Sequence, residues 1–197
     1  MTDAGTLRSA SDVKRWRKVE RERLIAERLA IDPELRHAHA EHIAARLDDL
    51  VNPVDGLTVT IYWPLRGEPD LRPWMTRVMA RGGICAFPVV VEKNAPLIFR
   101  AWVPPTPMVK GFWDIPVPAD GAEIVPDIVI APVVGFDSQC YRLGYGGGYF
   151  DRTLAALRTP RLVIGVGYSQ AQIATIHPLP HDIPMDTLVT DRETLTR

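Results

Sequence analysis

The first quarter of the chain alternates apolar and polar residues at helical spacing. Residues 12–31 predict a helix capped by Ser11 or Asp12, because both side chains accept hydrogen bonds from free backbone amides. Its imperfect apolar stripe consists of Val13, Trp16, Val19, Leu24 and Ile31. A second helix is predicted to begin at Asp32 and Pro33, since aspartate caps helices and proline favours the first helical position.

After residue 56 the pattern changes to short apolar runs separated by short helical segments. Strands are predicted at residues 57–63, 84–91, 97–102, 128–136, 161–168 and 186–190. Helices are predicted at residues 69–83 and 150–158. This alternation predicts an α/β fold of three layers, a mostly parallel central sheet with helices on both faces. We expect a single domain over residues 1–197, with residues 1–11 flexible.

Composition narrows the classes of function. A formal net charge of -1 argues against a nucleic-acid-binding surface, and the absence of a long apolar stretch argues against a membrane segment. The two cysteines, Cys85 and Cys140, sit in or beside apolar runs, which favours reduced thiols over a disulfide framework. We therefore expect a cytoplasmic monomer or weak homodimer that acts on a small molecule, with neither nucleic acid nor membrane as partner.

Basic residues share one face of the first predicted helix. They recur at steps of three, four and seven residues, at Lys14, Arg17, Lys18, Arg21 and Arg28. Two interpretations stay open at this point. The face is either solvated, as most charged helix faces are, or it forms an anion site for a polyphosphate.

A glycine-rich segment, "YRLGYGGGYFD" at residues 141–151, follows the apolar run 128–136 and precedes a predicted helix. Glycines let the backbone approach a ligand closely, and the start of a helix offers free N–H groups, so this order favours an anion cradle. Arg142 adds a bidentate cation, the tyrosines can stack on a planar ring, and Asp151 can hold a divalent cation. The alternative is a turn that only reverses the chain.

These residues carry a family resemblance. Residues 133–154 resemble the signature of the 5-formyltetrahydrofolate cyclo-ligase family, roughly F-D-x-x-x-x-R-L-G-x-G-x-G-Y-Y-D-R. The matching positions are Phe136, Asp137, Arg142, Leu143, Gly144, Gly146, Gly148, Tyr149, Asp151 and Arg152. Phe150 stands in place of the second tyrosine of the signature.

Three other segments resemble the family in order and spacing. The basic stretch "RWRKVERERL" at 15–24 resembles its first helix, with Lys14, Arg17 and Lys18 as loosely aligned candidates for ATP binding. The segment "YWPLRGEPD" resembles a strand-end motif that closes on a substrate-binding glutamate, here Glu68. The segment "HDIPMDTLVT" resembles a C-terminal motif whose aspartate joins a magnesium site, here Asp182.

The resemblance implies an ATP- and Mg²⁺-dependent cyclisation of 5-formyltetrahydrofolate to 5,10-methenyltetrahydrofolate, with release of ADP and phosphate. Arg142 and Tyr149 are the implied catalytic residues, and Asp151 and Asp182 the implied metal ligands. The implied nucleotide contacts are Lys14, Arg17, Lys18, Arg142, Gly144, Tyr145, Gly146, Gly147, Gly148, Tyr149 and Asp151. The implied contacts with the reduced folate are Trp63, Glu68, Trp113, Tyr145 and Tyr149.

Simpler alternatives exist for several of these residues. Glu68 can be a surface carboxylate at the start of the helix near Asp70, and Asp182 can bond nearby backbone in a proline-rich turn. Trp63 and Trp113 can be core side chains beside strands.

One segment departs from the family. Where the family carries G-I-x-E-P, this chain reads "WDIPVP", so Asp114 replaces the glycine and Val117 replaces the glutamate. A carboxylate that orients the substrate is therefore missing or has moved to Asp114. This departure keeps two further hypotheses open, a paralogue that uses ATP on a different substrate and a non-catalytic protein that binds nucleotide or folate.

Overall fold

The computed structural model describes residues 9–157 and 160–197. Its helices are α1 (Ala10–Leu29), α2 (Pro33–Val51), α3 (Arg72–Ala80) and α4 (Tyr149–Ala156). Its strands are β1 (Thr58–Thr60), β2 (Ile84–Val89), β3 (Ile98–Trp102), β4 (Met108–Lys110), β5 (Pro116–Pro118), β6 (Ile128–Pro132), β7 (Gly135–Phe136), β8 (Arg142–Leu143), β9 (Leu162–Val166), β10 (Thr187–Val189) and β11 (Thr194–Thr196). Most of the segment predicted to be flexible, residues 1–8, lies outside the described residues.

Seven strands form the main sheet, in the order β11-β10-β9-β6-β1-β2-β3. The five central strands run parallel, whereas the two edge strands, β3 and β11, pair antiparallel with their neighbours. Two short hairpins, β4-β5 and β7-β8, stand apart from this sheet. The carboxyl ends of the parallel strands therefore share one edge, which is where ligands bind in open α/β sheets.

Helices cover both faces of the sheet. Alternate residues of β6 point to opposite sides, so Ile128 and Ile130 pack in one core and Val129 and Ala131 in the other. The first core includes side chains from α2 and α3, such as Leu47. The second core includes side chains from α1 and α4. The predicted three-layer α/β architecture is confirmed.

The predicted apolar stripe of the first helix is confirmed in part: Val13, Leu24 and Ile31 are buried, but the cap and one stripe position are wrong. Ser9, and not Ser11 or Asp12, caps α1 by accepting a hydrogen bond from the Asp12 amide. Val19, assigned to the buried stripe, is 61% exposed, whereas Arg17 and Arg28 are buried. The inward face of α1 is thus partly cationic, because it lies against a polar cleft and carbonyl groups as well as against the core.

The apolar run 128–136 is not one strand. It bends after Pro132, and its last residues form hairpin β7-β8, whose second strand leads into the glycine segment. The predicted direct passage from a central strand to the glycines is therefore wrong. The last residue of the predicted helix 150–158 lies outside the described residues, and α4 ends at Ala156.

Both cysteines are free and buried, as predicted. Among the helices of the described residues, none is long and apolar enough to cross a membrane.

Candidate active site

A cleft of about 500 Å³ opens at the carboxyl ends of β1, β2 and β6. Trp63 after β1, Pro88 in β2 and Pro132 in β6 contribute to its floor. The glycine segment forms one wall, and hairpin β4-β5 forms another. The cleft therefore brings together segments that lie up to 165 residues apart, such as Arg17 and Asp182.

The glycine loop, residues 144–148, forms one end of the cleft. Gly146 and Gly148 have φ angles of +96° and +65°, in a region that other residues rarely adopt, and Gly148 caps the start of α4. Within the described residues, the backbone amides of residues 144–148 donate no hydrogen bond. Free amides at the start of a helix form a ready anion site.

Two arginines flank this loop. Arg142 is buried, donates from Nη2 to Asp151 Oδ2 at 3.0 Å, and has an Nε atom without a partner among the described residues. Burial holds the pKa of Arg142 below its ordinary value, although Asp151 and Asp182 oppose that shift. Arg21 donates from Nε to the Gly144 carbonyl at 2.6 Å and also lines the cleft. Unused donors on both side chains can hold a phosphate.

Arg17 and Asp182 form a buried ion pair beside these arginines. The guanidinium contacts both carboxylate oxygens, at 2.5 and 3.1 Å, and each side chain is 9% exposed. Arg17 also donates to the carbonyls of Ile176 and His177, both at 2.9 Å. Burial raises the pKa of Asp182, but the hydrogen bonds from Arg17 and from the Leu179 amide outweigh it and hold that pKa below its ordinary value.

The structure separates the basic residues of α1 into two groups. Arg17 and Arg21 line the cleft, whereas Lys14 and Lys18 are exposed and do not line it. The nucleotide role of these two lysines stays a prediction. Arg21 belongs to the basic face that was one candidate for an anion site, but it was not among the residues implied to bind the nucleotide. Its four-residue spacing from Arg17 places both on one face of the helix.

Asp151 and Asp182, the predicted metal ligands, both line the cleft. Each is paired with an arginine, Asp151 with Arg142 and Asp182 with Arg17. Within the described residues, no cluster of three or more histidine, cysteine, aspartate or glutamate side chains could hold a metal ion. Two carboxylates completed by phosphate oxygens and water suit Mg²⁺, so these residues fit that ion when it arrives with a nucleotide.

Glu68 also lines the cleft and is only 6% exposed. Its Oε2 accepts from the Leu65 amide at 2.8 Å, and its Oε1 accepts from the Tyr145 hydroxyl at 2.7 Å. Burial raises the pKa of Glu68, and the Tyr145 and Leu65 hydrogen bonds oppose that shift. The alternative of a surface carboxylate at the start of a helix is excluded, because α3 begins only at Arg72.

Aromatic side chains wall the space between Glu68 and the glycine loop. Trp63 packs near Phe87, with ring centroids 6.4 Å apart. Trp113 is 64% exposed and meets the Tyr149 ring edge-on at 5.5 Å, which excludes the core alternative for this tryptophan. Trp63, Trp113, Tyr145 and Tyr149 all line the cleft, as an aromatic substrate would require.

The departure from the family lies outside the cleft. Val117 is buried in hairpin β4-β5, near Gly111, whereas Ile115 and Pro116 line the cleft. Asp114 is exposed, with an Oδ1 atom 3.5 Å from Lys110 Nζ. Neither Asp114 nor Val117 lines the cleft, so the idea that a substrate carboxylate has moved to Asp114 finds no support.

The fold and the lining of the cleft together indicate a class of enzyme. One cleft is lined by an anion cradle, a pair of aspartates, a buried glutamate and several aromatic rings. This arrangement is typical of an α/β enzyme that brings a phosphate donor to a ring-containing acceptor.

Comparison with known proteins identifies the family. The model of the 5-formyltetrahydrofolate cyclo-ligase family matches residues 13–191. The cyclo-ligase of Escherichia coli strain K12 is 30% identical over 171 residues, covering 83% of this chain and 93% of that protein. The cyclo-ligase of Mycolicibacterium smegmatis is 27% identical over 177 residues, covering 86% and 90% of the two chains.

Solved structures agree with this result. The NMR structure of Aquifex aeolicus 5,10-methenyltetrahydrofolate synthetase matches with a TM-score of 0.79 and 28% identity, covering 91% of this chain and 92% of that one. The Mycoplasma pneumoniae synthetase matches with a TM-score of 0.73 at 21% identity, covering 89% of this chain and 99% of that one, which supports the fold. The chain belongs to the 5-formyltetrahydrofolate cyclo-ligase family, and the resemblance of its sequence motifs is confirmed.

Proposed function

We propose that this protein uses ATP and Mg²⁺ to cyclise 5-formyltetrahydrofolate to 5,10-methenyltetrahydrofolate, with release of ADP and phosphate. The observation that carries this proposal is the joining, in one cleft, of the glycine loop and Arg142 with the buried Glu68. Family membership supports the substrate class. We further propose that the protein is a cytoplasmic monomer or weak homodimer, as expected from its sequence.

The chemistry explains why these residues are needed. In the proposed reaction the formyl oxygen takes the γ-phosphoryl group of ATP and ADP is released. N10 then bonds to the activated carbon and loses its proton, and the C–O bond breaks so that phosphate leaves. Transfer of a phosphoryl group depends on position and neutralised charge more than on covalent help from protein. Free loop amides, Arg21 and Arg142 supply donors at the phosphate end, and each such contact typically contributes about a hundredfold in rate.

The remaining residues bind and orient. Asp151 and Asp182 would hold Mg²⁺, which supplies positive charge to the phosphates when bound. Glu68 accepts N–H donors from the folate ring, and Trp63, Trp113 and Tyr149 wall that ring. Tyr149 is half-buried at the start of α4 and lines the cleft, and its hydroxyl accepts a hydrogen bond from the Asn94 amide at 3.4 Å. Arg17 holds the Asp182 segment against α1 and can contact phosphate if it leaves that carboxylate.

The test is the near-ultraviolet absorbance of the methenyl product, recorded with purified protein, 5-formyltetrahydrofolate, ATP and Mg²⁺. We expect growth of that absorbance to require all three additions. Arg142→Ala should reduce the rate about a hundredfold. Val125→Ala, at an exposed site away from the cleft, is the matched control and should not change it.

The absence of product at high protein concentration would contradict the proposal. Phosphate release with another formamide, but not with the folate, would then favour a paralogue with a different substrate. Tight ATP binding without turnover would favour a non-catalytic binding protein.

A further inference from the structure

We propose that Arg28 and Tyr145 are positioning residues that link the glycine loop to Glu68, so that nucleotide and folate bind cooperatively. This inference rests on the proposed function. It concerns a chain of three side chains, Arg28–Tyr145–Glu68, which we call the relay.

The hydrogen bonds of the relay have one direction. Arg28 Nη2 donates to the Tyr145 hydroxyl at 2.6 Å, and that hydroxyl lies 2.7 Å from Glu68 Oε1. A guanidinium cannot accept, so the Tyr145 oxygen accepts from Arg28 and its only hydrogen points to Glu68. The relay therefore orients one oxygen of the glutamate, and the Leu65 amide orients the other.

Both ends of the relay are fixed in the protein. Arg28 is 4% exposed, and its Nε donates to the Arg66 carbonyl at 2.9 Å. Glu68 is also buried and lies two residues from Arg66 in the same segment after β1. Arg28 thus binds this segment both directly, through Arg66, and indirectly, through Tyr145.

Tyr145 is the middle member and belongs to the anion cradle. It lies between Gly144 and Gly146, and the Gly144 carbonyl accepts from Arg21. The amides of this loop have no partners among the described residues. The loop is held by the Tyr145 hydroxyl and by Arg21 and Arg152, which donate to the carbonyls of Gly144 and Gly147. An anion that binds those amides therefore fixes Tyr145, and Tyr145 in turn fixes the carboxylate that receives the folate.

The physical consequence is a coupling free energy between the glycine loop and Glu68, two parts of one cleft. Each ligand orders part of the relay, so the second ligand to bind loses less freedom. Couplings of this kind typically change affinity about 5- to 150-fold, and the change must be the same in whichever order the ligands bind.

The experiment measures four dissociation constants by calorimetry on the full chain, one for each ligand in the absence and in the presence of the other. The probes are 5-formyltetrahydrofolate and a non-hydrolysable ATP analogue with Mg²⁺, each titrated alone and in the presence of the other. In the unaltered protein we expect the presence of either ligand to increase the affinity for the other at least fivefold. In Tyr145→Phe we expect the coupling, taken as the ratio of each ligand's affinity with and without the other, to fall below twofold.

Tyr141→Phe is the matched control. Its ring packs beside the second core, and its hydroxyl takes part in none of the hydrogen bonds within the described residues. It should keep the full coupling. Unchanged coupling in Tyr145→Phe, or no coupling in the unaltered protein that still forms product, would overturn the relay and leave the proposed function standing. If the unaltered protein neither binds the folate nor forms product, that result contradicts the proposed function and also the proposed role of the relay, which depends on it.

Discussion

Replacement of Arg17 by alanine is the perturbation whose effect can be derived most directly from the structure. The Arg17 side chain donates four hydrogen bonds, two to the Asp182 carboxylate and two to the carbonyls of Ile176 and His177. These bonds fasten α1 to the segment that carries a predicted metal ligand. Alanine removes all four and leaves the Asp182 carboxylate with the Leu179 amide as its remaining partner among the described residues.

The magnitude follows from burial. Removing one partner of a buried ion pair typically costs about 3–5 kcal/mol. Both side chains here are 9% exposed but border an open cleft, so water can reach Asp182 after the substitution. We therefore expect the lower end, about 3 kcal/mol in the free energy of unfolding. For a chain of this size that is a decrease of roughly 6–12 °C in the melting temperature.

The assay is thermal unfolding of a double-mutant cycle made of Arg17→Ala, Asp182→Asn and the two together. We expect an interaction energy of about 2 kcal/mol between the two positions at pH 7. The pKa of Asp182 is lowered in the folded state, so the stabilisation is fully present above the ordinary aspartate value of about 3.9 and is lost as the pH falls through the folded value. The interaction energy should therefore be unchanged at pH 5 and smaller at pH 3.

An interaction energy under about 0.5 kcal/mol at pH 7 would refute this reasoning, since contacting charges normally exceed that value. So would an interaction that grows as the pH falls.

Three further predictions concern single positions. Gly144→Ala places a methyl group 2.6 Å from Arg142 Nη1, so we expect turnover to fall about a hundredfold with little change in melting temperature; normal steady-state kinetics would contradict this. Val117→Glu places a carboxyl group at a buried position of hairpin β4-β5, where burial favours its neutral form, and we expect the free energy of unfolding to fall by about 1–3 kcal/mol with no gain in folate affinity, measured by urea unfolding and calorimetry. Burial raises the pKa of the Cys85 thiol to about 12, so iodoacetamide at pH 8 should label it in urea but not in the folded protein, as mass spectrometry will show.

Local sequence patterns determined much of this protein. The alternation of apolar runs and helical segments predicts the α/β layers, because each strand that is buried on both faces must be apolar throughout. The glycine-rich segment indicates an anion site, because glycine, arginine and a helix start act over only a few neighbouring residues. The motifs that contain Glu68 and Asp182 marked residues that the fold then placed in one cleft.

Which side chains of α1 are buried was decided only by the tertiary structure. Hydrophobic periodicity assumes that buried residues are apolar, but Arg17 and Arg28 are buried by partners 159 and 38 residues away. The relay could not be predicted from the sequence either, since Tyr145 and Glu68 are 77 residues apart. A buried charge is tolerated only where distant groups neutralise it, and the sequence pattern around that charge carries no record of those groups.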